Sequence, residues 1–355
     1  MLSDTVRVLI PAAATFIIGM ALTPVLTHYL YLYKAWKKTP GKTAFDGREA
    51  LEFNRLHNGS EVGAPRMGGI IVWGSVTVAT LGFSIIAWLL PTESLLSLNF
   101  LSRNQTWVPL AALIIGAAGG LIDDLLMIRP LGGNGVPLKF RIGLVVILSF
   151  AISMWFFVKL DVHEINIPFG SAFNMGWLIV PFFVAMSLSL YASGVIDGID
   201  GLSGIVFMSV FASYAVIAFA QEQIDLAAFT ASIVGGLLAF TWFNIPPARF
   251  YMSETGTMAL TLVLSVIVFM TDNLGGGVGV FSLPIIGFLL VVTVASNILQ
   301  LLSKRFFGRK IFRVAPLHHH FEAIGWPSYK VVMRYWVLSI VFSFLGVILA
   351  LAARY

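Results

Sequence analysis

Apolar runs of helical length recur from one end of the chain to the other, and they leave few folds open. Ten stretches, near residues 6–29, 68–90, 107–122, 141–158, 175–192, 203–220, 227–243, 257–272, 280–301 and 332–352, are candidates to cross about 30 Å of hydrocarbon. Lipid offers no partner to a backbone N–H or C=O, and the alternating pattern of a transmembrane barrel is missing, so the runs predict helices. Composition agrees, since 58% of the 355 residues are hydrophobic and 11% charged, where a soluble globule carries about 25% charge. The sequence therefore predicts an all-α polytopic integral membrane protein, a single transmembrane domain over residues 1–355 without linker or internal repeat. The first run lacks a basic start and a small-residue cleavage site, so it reads as a span and not as a signal peptide. Cysteine is absent, which excludes disulfides and thiolate metal sites.

Lys and Arg in the connections give an orientation. One set of alternate loops holds Lys34, Lys37, Lys38, Lys42, Arg48, Arg55, Arg66, Arg129, Lys139, Arg141, Arg249, Lys304, Arg305, Arg309, Lys310, Arg313, Lys330 and Arg334. The opposite set, termini included, has only Arg7, Arg103, Lys159 and Arg354. Ten spans with this split predict basic cytoplasmic loops and both termini extracytoplasmic. The longest polar connection, about residues 34 to 66, is expected to be one of those loops.

Four polar stretches fall on the basic side: "LIDDLLMIRP", "VIDGIDGLSG", "FNIPPARFYMSETGT" and "APLHHHFEAIGWP". Ionisable groups at membrane depth are costly and mark function, so their convergence on one face points to an active site. Asp123 and Asp124 close a span. Side by side they repel unless a cation or a shifted pKa intervenes, which favours Mg2+ or a carboxylate acting as a base over a merely solvated helix end. Asp197 and Asp200 flank Gly198, and the D-G-I-D-G segment reads either as an ordinary Gly-rich turn or as a loop open to close approach by a ligand. Glu254 reads either as a helix cap or as a further acid of the site. His318, His319 and His320 cannot all face one metal from a regular element, and neither a cysteine partner nor an H-E-x-x-H spacing accompanies them. As loop residues beside Arg309, Lys310 and Arg313, they are placed to donate to anionic phosphates. Together these features suggest a nucleotide-activated donor in the cytosol, a lipid phosphate acceptor in the bilayer, and electrostatic clamping of phosphoryl oxygens.

"RKIFRVAPLHHHFEAIGWPSYKVVMRYW", with "GAPRMGGI", "IDDLL", "IDGIDGLSG" and "FNIPPARFYMSETGT" in the same order, resembles the phospho-N-acetylmuramoyl-pentapeptide transferases of the polyprenyl-phosphate N-acetylhexosamine-1-phosphate transferase superfamily. The resemblance covers nearly the whole chain and implies a ten-span enzyme of the bacterial inner membrane whose site faces the cytoplasm. Its reaction would move phospho-MurNAc-pentapeptide from UDP-MurNAc-pentapeptide to undecaprenyl phosphate, giving lipid I and UMP, with Mg2+. A homodimer is implied and a nucleic-acid partner is not. By motif, Asp123 and Asp124 match the aspartate pair, one of which would deprotonate the lipid phosphate while both lie close to the metal, and Glu254 stands at the metal-binding aspartate. Asp197, Gly198 and Asp200 match the segment lining the nucleoside pocket, and Asn244, Tyr251 and Gln300 match uridine-recognising positions. Lys139 matches a lysine near the phosphates, and His318, His319 and His320 match the histidine motif.

The chain departs from that pattern at several places. Gly194 replaces an asparagine, Ser253 a glycine, and Glu254 an aspartate shorter by one methylene. Glu61 or Val62, Ala64 and Arg66 replace a lysine and two threonines, Tyr251 replaces a phenylalanine, and Thr293 an acid of the ninth span. Two other readings therefore stay open: a transferase for another UDP-sugar, and a membrane protein that keeps the fold with impaired catalysis.

Overall fold

A computed structural model describes residues 2–38, 63–129 and 135–353. Lys42, Arg48, Arg55, Glu61, Val62 and Arg354 lie outside these residues. Among the described residues, ten helices are long and apolar enough to cross a membrane: Asp4–Leu32, Gly69–Leu89, Trp107–Met127, Leu138–Lys159, Gly176–Ile196, Leu202–Ala220, Ile224–Asn244, Ser253–Asn273, Phe288–Phe307 and Ser328–Ala352. They are called the first to tenth spans below. Their large apolar side chains point outward in numbers that water would not tolerate: Ile17, Trp88, Ile147, Phe344 and Ile348 are each more than half exposed. A bilayer is the solvent such a surface fits.

The eighth span is the axis of the bundle, with nearly every residue buried, and it packs against the second, third, fifth and sixth spans. Its closest neighbour is the third, where small residues admit the backbone: a Cβ on Gly116 would lie 3.0 Å from Ala259 Cα. Such contact between helices is the usual means of association where lipid supplies no hydrophobic drive. Phe156, Phe183 and Phe269 meet edge to face or tilted, with centroids 5.0 to 5.9 Å apart, and lock the fourth, fifth and eighth spans together. The first span lies along the seventh, and the sixth packs between the seventh and the tenth.

Two expectations need correcting. The ninth run, expected as one span over 280–301, is broken at Gly287 into a short helix Gly279–Ile286 and the span Phe288–Phe307. Pro284 and the non-helical Gly287 interrupt the hydrogen-bond ladder inside an apolar stretch. The histidines, expected in a loop, sit on a two-turn helix Leu317–Ala323 that Pro316 precedes. Small elements outside the spans also went unforeseen: a helix Glu93–Leu98, and an antiparallel pair of two-residue strands, Glu164–Ile165 with Phe173–Asn174.

Because the spans alternate in direction, segments 63–68, 128–129, 135–138, 194–202, 245–253 and 308–328 gather at one end of the bundle. All the motif residues collect there. At the opposite end lie segments 90–106, 160–178, 221–224 and 273–278.

Candidate active site

The end of the third span meets the start of the eighth, and that junction builds a centre of acids. Asp123 and Asp124, in its last turns, are fully buried. Asp124 is held from three sides: Oδ1 accepts from Arg66 Nε at 2.9 Å, and Oδ2 accepts from Ser253 Oγ at 2.6 Å and from the Thr255 N–H at 3.0 Å. Asp123 is held by one bond, Val136 N–H to Oδ1 at 2.6 Å, and its Oδ2 is buried without a hydrogen-bond partner, 3.6 Å from Arg141 Nη1. Glu254 Oε1 pairs with the same Arg141 Nη1 and lies 3.5 Å from the Tyr191 hydroxyl, while its Oε2 is also buried and unbonded.

Ser253 ties the centre to the D-G-I-D-G segment. Its N–H donates to Asp197 Oδ2 at 2.8 Å, its hydroxyl donates to Asp124, and its hydroxyl oxygen accepts the Met67 N–H at 2.8 Å. The residue holds φ at +55°, a left-handed conformation that glycine adopts freely and serine does not. The departure from glycine here is thus balanced by two hydrogen bonds that glycine could not make. The other oxygen of Asp197 accepts from Ser203 Oγ at 2.7 Å. Four carboxylates, Asp123, Asp124, Asp197 and Glu254, therefore surround two guanidiniums, Arg66 and Arg141. Burial works against the charge of Arg66, yet Asp124, Asp197 and Asp123 together hold its pKa above the usual value.

The histidine helix closes on this centre through Gly198. A Cβ there would lie 2.6 Å from His319 Nε2 and 2.7 Å from His318 Nε2, so only glycine lets both buried imidazoles come so near. His319 Nδ1 pairs with Glu322 Oε2 at 2.7 Å, and Glu322 Oε1 accepts from Ser328 Oγ at 2.6 Å. Trp326 stacks on Phe321 at 4.7 Å and carries the Arg334 guanidinium on its ring at 4.1 Å. The H-H-H-F-E-x-x-G-W spacing is thus a self-packing hairpin, turned at Gly325 with φ +101°. His320 faces the other way and accepts the Arg313 N–H at Nδ1, 3.2 Å. Burial first, and Arg313 second, lower its pKa below 6.5.

The remaining expected residues lie at the same end of the bundle. Asn244 accepts the Gly201 N–H and donates to Phe250 O, each at 2.8 Å. Asp200 Oδ2 accepts the Ala248 N–H at 3.0 Å. Gln300 accepts from Ile311 and Phe312 N–H and donates to Phe312 O, which pins the basic segment before the histidines. Tyr251 is half-buried, its backbone bonded to Pro65 and Gly68. Lys139 is exposed, with Nζ over the Phe140 ring. Arg141, two residues on, is the cation that reaches the carboxylates. Arg141, Tyr191 and the Ser253 hub escaped sequence reasoning. An arginine opening a span reads as an orienting charge, and nothing in a serine announces a positive φ.

Among the described residues, no three His, Cys, Asp or Glu side chains are assembled as a metal-binding group. Asp124 is committed to Arg66, Ser253 and Thr255, which leaves Asp123 Oδ2 and Glu254 Oε2 as the unbonded buried oxygens. One or two carboxylates completed by substrate phosphates are what Mg2+ commonly uses, and the net negative charge of the centre suits a divalent cation. The residues present fit the ion on those terms.

Residues 106–272 match the family model described as Glycosyl transferase family 4. Over nearly its whole length the chain is similar to proteins named phospho-N-acetylmuramoyl-pentapeptide-transferase. The protein of Latilactobacillus sakei is 29% identical over 341 residues, 96% of this chain and 97% of that one. That of Pelagibacter ubique is 30% identical over 314 residues, 82% and 80%, and that of Chloroflexus aggregans 28% over 367 residues, 99% and 91%. With the helical bundle and the acid centre, these likenesses place the chain in glycosyl transferase family 4, the membrane-embedded, magnesium-dependent enzymes that transfer a hexosamine 1-phosphate from a UDP-sugar to a polyprenyl phosphate.

Proposed function

We propose that the donor is UDP-MurNAc-pentapeptide and the acceptor undecaprenyl phosphate, so that the products are lipid I and UMP. The observation that carries this reading is the P-L-H-H-H-F-E-x-x-G-W hairpin, whose two buried imidazoles close on Gly198 beside Asp197. The names of the full-length relatives support the same donor. The Lys and Arg distribution supports a site that faces the cytoplasm, where a UDP-sugar is at hand.

An oxygen of the lipid phosphate attacks the phosphorus that carries the sugar, and the bond from that phosphorus to the UMP phosphate oxygen breaks. The attacking phosphate, if it enters protonated, gives its proton to Asp123. That residue is chosen over Asp124 because Oδ2 of Asp123 has no hydrogen-bond donor, whereas both oxygens of Asp124 are occupied. Arg141, poised between Asp123 and Glu254, lies where developing phosphoryl charge needs a cation. His318 and His319 cover the other side, and Glu322 fixes the His319 ring. Mg2+, held by Glu254 and substrate phosphates, would supply positive charge to the diphosphate oxygens and leave Asp123 Oδ2 to take the proton.

UMP release from purified protein supplied with undecaprenyl phosphate, Mg2+ and a panel of UDP-sugars tests the proposal. Turnover only with UDP-MurNAc-pentapeptide is expected. Turnover only with another UDP-sugar would replace the donor, and no turnover with any donor would favour the impaired membrane protein.

A further inference from the structure

The opposite end of the bundle holds a cavity of about 580 Å³ that the transfer reaction does not use. Arg103, Asn104 and Gln105 precede the third span, Lys159 ends the fourth, and Gln223 precedes the seventh; all five line it, with Trp155 as an apolar wall. The third and fourth spans run from this cavity to the acid centre, and a 21-residue helix puts the two about 30 Å apart. No acidic side chain is among the lining residues.

The chain keeps few cations at this end, and their disposition is informative. Arg7 is spent on Asp4 at 3.0 Å, Asp225 at 3.7 Å and Ser97 O at 2.8 Å. Arg354 lies outside the described residues. Arg103 and Lys159, the other two, have no ion-pair partner among the described residues, and both line this one cavity. Asp161, hydrogen-bonded to His163 at 2.8 Å, and Glu222 are not part of the lining. Hydrogen-bonding groups complete the site. Gln105 Oε1 is fixed by the Leu226 N–H at 3.1 Å, which leaves its amino group as a preset donor. Gln223, 5% exposed, contributes only wall, because its Oε1 is buried.

We propose that this cavity binds an anionic phosphate ester, such as the headgroup of phosphatidylglycerol. Arg103 and Lys159 neutralise the phosphate, and Gln105 and Asn104 donate to it. The span-end position of the lining places it at headgroup depth, where each basic residue attracts anionic lipid by about 1 kcal/mol, roughly fivefold in affinity. The assignment is independent of the sugar donor proposed above.

The test uses the full chain in nanodiscs of phosphatidylcholine with a minority of phosphatidylglycerol, and reads retained lipid by native mass spectrometry. The wild type should retain phosphatidylglycerol over phosphatidylcholine, Lys159→Gln should lower retention about fivefold, and R103Q/K159Q about 25-fold. Lys159→Gln changes one exposed side chain at a span end and keeps the test valid if the double variant does not fold, and R103K/K159R should retain the lipid. A second arm adds inorganic phosphate to delipidated protein in detergent and follows the unfolding temperature. Stabilisation of the wild type but not of R103Q/K159Q would make free phosphate the occupant of the same site. Equal lipid retention by wild type and both Gln variants, with no phosphate-dependent stabilisation, would overturn the proposal.

Discussion

Replacing each of the two adjacent aspartates by alanine should give opposite results in two assays. Asp124→Ala removes an acceptor from Arg66, Ser253 and the Thr255 N–H, and it takes the hydrogen-bonded partner from a guanidinium that Asp197 and Asp123 still face. Breaking a buried ion pair costs about 3–5 kcal/mol; Arg66 keeps 23% of its side chain exposed, so the lower part of that range applies. The orphaned Thr255 N–H adds about 1 kcal/mol, since Ser253 can turn its hydroxyl elsewhere. The sum is about 4 kcal/mol of lost stability. Asp123→Ala loses one bond, from Val136 N–H, and the 3.6 Å ion pair of its other oxygen with Arg141, which keeps Glu254 as its closer partner, so its cost is about 1 kcal/mol. Thermal unfolding in detergent should therefore drop by many degrees for Asp124→Ala and barely for Asp123→Ala. UMP release should fall at least about 100-fold for Asp123→Ala, as expected on loss of a general base, even at temperatures where that variant is fully folded. Equal destabilisation by the two substitutions, or a stable Asp124→Ala, would refute the division of labour assigned to them.

Three further outcomes follow from the same geometry. Gly198→Ala should displace His318 and His319, whose Nε2 atoms a Cβ would approach to 2.7 and 2.6 Å; a cost of about 1–3 kcal/mol and a lower kcat are expected in unfolding and UMP-release measurements. Ser253→Gly should be nearly neutral in stability, because relief of the positive φ, about 1 kcal/mol, offsets the lost hydroxyl bonds, while kcat falls as Asp124 loosens. The pKa of His320 is lowered in the folded chain by burial and Arg313. The unfolded chain therefore takes up the proton first, and stability that is full above about pH 6.5 should decline as pH falls below it. His320→Gln should flatten that decline in unfolding curves recorded between about pH 7 and 5.

The spans were legible because hydrocarbon dictates length, apolarity and helical closure of the backbone at once, and among the described residues each of the ten runs overlaps one helix long enough to span. The break at Gly287 was not, since Gly279–Ile286 and Phe288–Phe307 are both apolar and no polar residue marks the interruption. In the site, Asp123, Asp124 and Glu254 stood out as acids in apolar surroundings, and the structure brings them to one centre. Arg141 and Tyr191 did not stand out, because each joins the centre only through the approach of the fourth and fifth spans to the eighth. The histidines looked like a loop because seven residues between prolines are too few to show a helical period.

The bond pattern around Ser253 also fixes the order in which this chain can change. With Arg66 holding one oxygen of Asp124 and the serine hydroxyl the other, either restraint can be lost while its counterpart keeps the carboxylate in place. Losing both leaves Asp124 with the Thr255 N–H alone. A path back to glycine at 253 is thus open only while arginine stands at 66, and the two positions form a history-dependent pair whose effects do not add.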